Sequence, residues 1–84
     1  MAKVELTPSA ETQVDALPRL VRLRVLNVVL RLERWPDVSG AKPLRGPLAG
    51  HFRIRTGDYR IQFHVVGDTV VIEKAGHRDK FYEE

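Results

Sequence analysis

The chain has no cysteine. That excludes a disulfide framework and a thiolate metal site. It has no apolar run of about 18 residues, which excludes a transmembrane helix. Its first residues, MAKVELTPSAE, lack the apolar core of a signal peptide. Together these absences lead to the expectation of a cytoplasmic protein. No low-complexity segment interrupts the sequence, and no repeat is visible beyond two Gly-Asp turns. No carboxylate cluster and no histidine spacing marks a metal centre, so neither a metal nor another cofactor is expected. With 84 residues there is room for one domain, 1–84, and a modest core.

What is present is basic. The formal net charge is +3 and the pI about 9.7. Ten of the fourteen basic residues are arginine. Arginine forms bidentate contacts with phosphates and stacks on bases, so an acidic or nucleic-acid partner is the class that this composition favours.

Residues 2–6 read as a short strand with Val4 and Leu6 on one face. Thr7 then caps a helix that Pro8 opens and that ends near residue 16. Pro18 opens a second helix, which Pro36 stops after Trp35. Leu17, Val21, Val25, Val28, Leu32 and Trp35 recur at helical spacing and form its buried face. The arginines at 19, 22, 24, 31 and 34 lie mostly elsewhere, as a solvated face. Residues 36–50 form a loop punctuated by Gly40, Pro43, Gly46 and Pro47, with Leu44 and Leu48 expected to plug into the core. Two hairpins follow, closed by Gly57-Asp58 and Gly67-Asp68. The expected fold is α+β, β-α-α-β-β-β, with two helices on one face of a small antiparallel sheet.

Two-residue turns make the register readable. Arg55 faces Arg60, Arg53 faces Gln62, and Phe52 faces Phe63. One face then carries Phe52, Ile54, Ile61, Phe63 and Val65, and the other Arg53, Arg55, Arg60, Gln62 and His64. Regular continuation sets Gln62 against Glu73 and Arg60 against Ala75. It brings Glu73 near Arg53, and Arg78 to the same end as Arg53, Arg55 and Arg60. Like charges directly across a sheet destabilise it by a few tenths of a kcal/mol, at about the low end of such pair energies. Converging arginines therefore point to an anionic ligand. His51 and His64 read as structural or surface groups.

The segment KPLRGPLAGHFRIRTGDYRIQFHV, with IEKAGHRDKFY after it, resembles the RelE/ParE superfamily of toxins from type II toxin–antitoxin systems. The matching motifs are Leu44-Arg45-Gly46, Phe52-Arg53-Ile54-Arg55, Gly57-Asp58-Tyr59-Arg60, and Gly76-His77-Arg78 followed by Tyr82. The resemblance spans essentially the whole chain. It implies a RelE-like fold and a ribosome-dependent mRNA endonuclease, in which a ribose 2′-OH attacks the adjacent phosphate without a metal. It implies that Arg53 and Arg55 occupy catalytic basic positions, that Arg60 binds phosphate, and that Arg78 and Tyr82 complete the site. Tyr82 matches a tyrosine that stacks on a substrate base. Lys42 and Arg45 match loop residues that contact ribosomal RNA. His77, next to Arg78, is of the side-chain type that exchanges protons near neutral pH.

Family members often carry lysine where Arg53 and Arg55 stand. A guanidinium stays protonated, so these two fit charge stabilisation, with protons left to His77 or Tyr82. The implied partners are a cognate antitoxin, the ribosome and mRNA, and operator DNA for the toxin–antitoxin complex. Two alternatives stay open: a ParE-type toxin acting on gyrase, and an inactive toxin that only binds antitoxin or nucleic acid.

Overall fold

Local chemistry starts and stops each element of this protein, seen in a computed structural model that describes residues 1–81. Strand β1 (Lys3–Leu6) leads into helix α1 (Pro8–Asp15), where the Thr7 hydroxyl accepts the Ala10 N–H at 3.1 Å. That bond satisfies one of the donors a helix start leaves open. Helix α2 (Arg19–Leu32) follows Pro18. Short strand β2 (Lys42–Pro43) and a single 3-10 turn (Gly46–Leu48) lead to β3 (His51–Thr56), β4 (Tyr59–Val66) and β5 (Thr69–His77). Gly57 and Gly67 have φ of 60° and 61°. A positive φ at the first central residue is what a tight hairpin of this type demands, and glycine adopts it without steric cost.

The sheet runs β1-β5-β4-β3-β2. Both helices cover one face. Val14, Val25, Val28 and Leu32 pack there against Ile54, Ile61, Phe63, Val70 and Ile72, all buried. Trp35 lies edge-on to Phe52 and Phe63 at 4.8 and 5.3 Å between centroids. It closes the core at the end of α2.

The α+β class and element order are as the sequence implies, and all six β3–β4 pairs have the register read from the turn. Besides strand β2, which forms inside the expected loop 36–50, four details differ. The sheet is mixed, because β1 lies parallel to β5, with Val4 against Val70 and Leu6 against Ile72. Helix α2 ends at Leu32, and Trp35 follows in a turn whose N–H reaches the Leu32 carbonyl at 3.0 Å. Leu44 is only half-buried and Leu48 is exposed, so neither plugs the core. Around Gly46 the chain runs along the outside, held by the Leu44 N–H to His51 carbonyl bond at 2.9 Å.

The fourth difference is a β-bulge in β5. Phe63 faces Ile72, but Gln62 faces Lys74, leaving Glu73 as the extra residue. Unbulged pairing sets Lys74 opposite core residue Ile61. The bulge sets Ala75 there instead, 4% exposed. A one-residue slip exchanges the two faces of a strand. Burying Ala75 rather than an ammonium is the physical reason for the irregularity. Arg60 therefore faces Gly76, not Ala75, and Tyr59 faces His77.

Candidate functional site: the basic face of the sheet

The face away from the helices carries the arginines. Arg53 stands between Lys42 on β2 and Gln62 on β4, and Arg55 stands across from Arg60. A cleft of about 250 Å³ is lined by Gly40, Lys42, Arg53 and Arg55. A second, of about 560 Å³, is lined by Lys42, Pro43, Leu44, Arg45 and Arg53. Lys42 and Arg53 belong to both, so Lys42, Arg45, Arg53 and Arg55 form one continuous basic groove. Among the described residues no carboxylate lies within ion-pair distance of Lys42, Arg45, Arg55 or Arg60.

Arg60 extends this groove toward β5. It is half-buried, and its Nε is buried without a hydrogen-bond partner among the described residues. A buried donor left open costs about 1–3 kcal/mol. An anion on this face would satisfy it. Opposite Arg60 stands Gly76, where an added Cβ would lie 3.9 Å from the buried Phe81 ring.

Glu73 does not approach Arg53 in the way regular pairing implies. The bulge carries it to His51 and His64, whose Nδ1 atoms both contact its Oε1. Glu73 is thus engaged by the two histidines. Arg78 lies past β5, where its N–H bonds the Asp58 carbonyl at 2.8 Å and ties this segment to the β3–β4 turn. Its guanidinium is 3.7 Å from Asp79. Arg78 therefore stands at the turn end of the face, near the Arg55–Arg60 pair.

His77 is not brought into the groove. It faces Tyr59 edge-on at 5.2 Å and borders a separate pocket of about 460 Å³ that includes Gln13 and Leu17 from the helical side. Its Nδ1 accepts the Asp79 N–H at 3.1 Å. Tyr82 lies outside the described residues.

Two features escape a reading of the sequence. One is the meeting of His51, His64 and Glu73, which depends on the bulge. The other is a row of exposed leucines on α2: Leu20, Leu23, Leu26 and Leu30 are between 42% and 73% exposed. The three-to-four-residue spacing was available as a signal. The Val25–Val28–Leu32 face is buried, as its spacing implies, and the leucine row beside it is left exposed.

A small α+β domain with a basic, open sheet face is the architecture of RelE-like toxins. No protein-family model matches the sequence. Toxin RelG of Mycobacterium tuberculosis is 35% identical over 82 residues, covering 94% of this chain and 93% of that protein. The crystal structure of the toxin–antitoxin complex RelBE2 from Mycobacterium tuberculosis matches with TM-score 0.82 and 34% identity, over 92% of this chain and 91% of the other. The isolated Escherichia coli RelE toxin matches with TM-score 0.77 at 16% identity, over 92% and 84% of the two chains, a likeness of fold. The chain belongs to the RelE/ParE superfamily and is a toxin of the RelE-like kind.

Proposed function

We propose that this toxin is an endoribonuclease that inhibits translation by cutting mRNA on the ribosome, with the basic face as its active surface. The observation that carries the reading is Arg60. A half-buried guanidinium that, among the described residues, has an unpartnered Nε and no acid beside it, set against Arg55, is a phosphate site in waiting.

In the proposed reaction the ribose 2′-oxygen bonds to the adjacent phosphorus, and the bond from phosphorus to the 5′-oxygen breaks. A 2′,3′-cyclic phosphate and a 5′-hydroxyl result. Negative charge grows on the non-bridging oxygens in between. Arg53, Arg55 and Arg60 stabilise that charge as fixed cations, already gathered before substrate arrives. Because they supply this stabilisation, the reaction needs no metal. They cannot act as bases, since a guanidinium stays protonated. Proton transfer falls to Tyr82, to His77, or to solvent. His77 stands apart from the groove, so using it would require the end of β5 to move. Arg78 would grip the RNA at the turn end of the face, and Lys42 and Arg45 would hold ribosomal RNA along the groove.

The cognate antitoxin is the proposed partner, supported by the likeness to the RelBE2 complex. The leucine row on α2 fits it best. Exposed apolar patches of this kind mark protein contacts, and Arg19, Arg22 and Arg34 lie on the same helix or just past it. An amphipathic helix bearing acids beside its apolar face would match both.

The experiment is induced expression of the chain alone in a bacterial host, with mapping of mRNA 5′ ends and Arg60→Ala/Arg78→Ala as control. In-frame cuts in translated messages, absent from the control, are the expected result. Growth arrest with intact mRNA and a DNA-damage response would replace this reading with action on gyrase. A folded product without arrest would leave a binding function alone.

A further inference from the structure

The outer face holds a second cluster, independent of the arginines. His51 on β3 and His64 on β4 are a cross-strand pair, their rings 5.4 Å apart between centroids. Glu73, the bulge residue of β5, reaches both: His51 Nδ1 contacts Oε1 directly, and His64 Nδ1 lies 3.3 Å from the same oxygen. One ligand atom from each residue falls within 4.8 Å of the others. The three side chains are 21–32% exposed, open enough for an ion to enter and sheltered enough to hold their geometry.

We propose that His51, His64 and Glu73 form a binding site for a late divalent transition metal of the Zn²⁺ class. Metal–ligand bonds of about 2.0–2.2 Å in a tetrahedron place ligand atoms about 3.3–3.6 Å apart. The His64–Glu73 separation of 3.3 Å lies at the short end of that range, and His51 need only open its contact with the carboxylate. Two imidazoles and one carboxylate suit zinc, copper or nickel, and do not suit magnesium or calcium, which require oxygen ligands. The fourth position is left to water.

A surface hydrogen-bonded triad is the plain alternative, since one carboxylate oxygen can accept from both imidazoles. What favours an ion is that three ligand atoms of the right types converge within 4.8 Å. The ligands come from three adjacent strands, so the ion would clamp β3, β4 and β5 together. His51 and Arg53 are two residues apart on one strand, hence on one face. The ion would add positive charge alongside the basic groove without entering the proposed chemistry.

The test is isothermal titration of the untagged full chain with ZnCl₂, with MgCl₂ as the comparison, together with thermal melting. The expected result is one Zn²⁺ per chain, a raised melting temperature and no response to Mg²⁺. His51→Ala and His64→Ala should each weaken Zn²⁺ binding by about 10–100-fold, at least the loss seen when a mere outer-shell partner is removed. Glu73→Gln should also weaken it, and His77→Ala should not. No uptake by the unmodified chain overturns the proposal. So does uptake that survives the His51→Ala/His64→Ala double variant, or uptake abolished by His77→Ala alone. If a variant fails to fold, the visible spectrum of the Co²⁺-loaded unmodified chain decides: four-coordinate bands support the site, and six-coordinate bands like those of the aqueous ion sink it.

Discussion

Arg55 on β3 stands directly across from Arg60 on β4, and the Arg60 Nε is buried without a partner among the described residues. Both facts disfavour the folded chain. Replacing Arg55 with glutamine should therefore raise stability by about 0.2–1 kcal/mol, the scale of a cross-strand pair. Toxicity should fall in the same variant. Urea denaturation and growth arrest, measured side by side, check the opposite signs. Equal or lower stability in Arg55→Gln would mean that the two guanidinia do not oppose one another.

Binding of single-stranded RNA should weaken steeply with salt. Each phosphate contacted contributes a slope of about −0.7 in log affinity against log salt concentration. Lys42→Ala and Arg45→Ala should each lower that slope by about one contact's worth, while affecting all sequences alike. Fluorescence anisotropy across a salt series measures it. An unchanged slope in both would remove the groove from the RNA path.

Gln13 is a structural prediction. β1 pairs with β5 only as far as Ile72, so the Ala75 N–H faces no strand on that side. The Gln13 side-chain oxygen accepts it at 2.9 Å. Gln13→Ala leaves a part-buried donor open and should cost about 1–3 kcal/mol, detectable as a lower urea midpoint with an unchanged slope.

The bulge makes an unusual deletion tolerable. Removing Glu73 joins Ile72 to Lys74 while keeping Ile61 against Ala75, which regularises the ladder. Removing Val71 instead shifts the strand against its partners and turns apolar residues outward. Circular dichroism melts should find the first deletion folded and the second severely destabilised. Equal damage would refute the register drawn for β5.

Charge placed in the leucine row should separate toxicity from neutralisation. Leu23→Asp with Leu30→Asp changes two exposed residues that do not line the groove. The variant should arrest growth like the parent chain, and co-expressed cognate antitoxin should no longer rescue it. Full rescue would move the antitoxin to another surface.

Much of the fold follows from local chemistry. The Gly57-Asp58 turn admits one register, so Arg55 meets Arg60 whatever surrounds the hairpin. Thr7-Pro8 starts a helix for reasons confined to its own first turn. The shared face of Arg53, Arg55 and Arg60 was legible to the same extent, because alternation along β3 and β4 needs nothing beyond the turn, whereas Lys42 joins them only through β2, inside the expected loop. Other features depend on distant segments meeting. The parallel pairing of β1 with β5 joins residues more than sixty positions apart. The bulge at Glu73 arises because Ala75, not Lys74, must lie over Ile61 in a core that exists only once the helices are docked. That single extra residue draws Glu73 from the arginines to His51 and His64, a decision that belongs to packing rather than to any stretch of sequence.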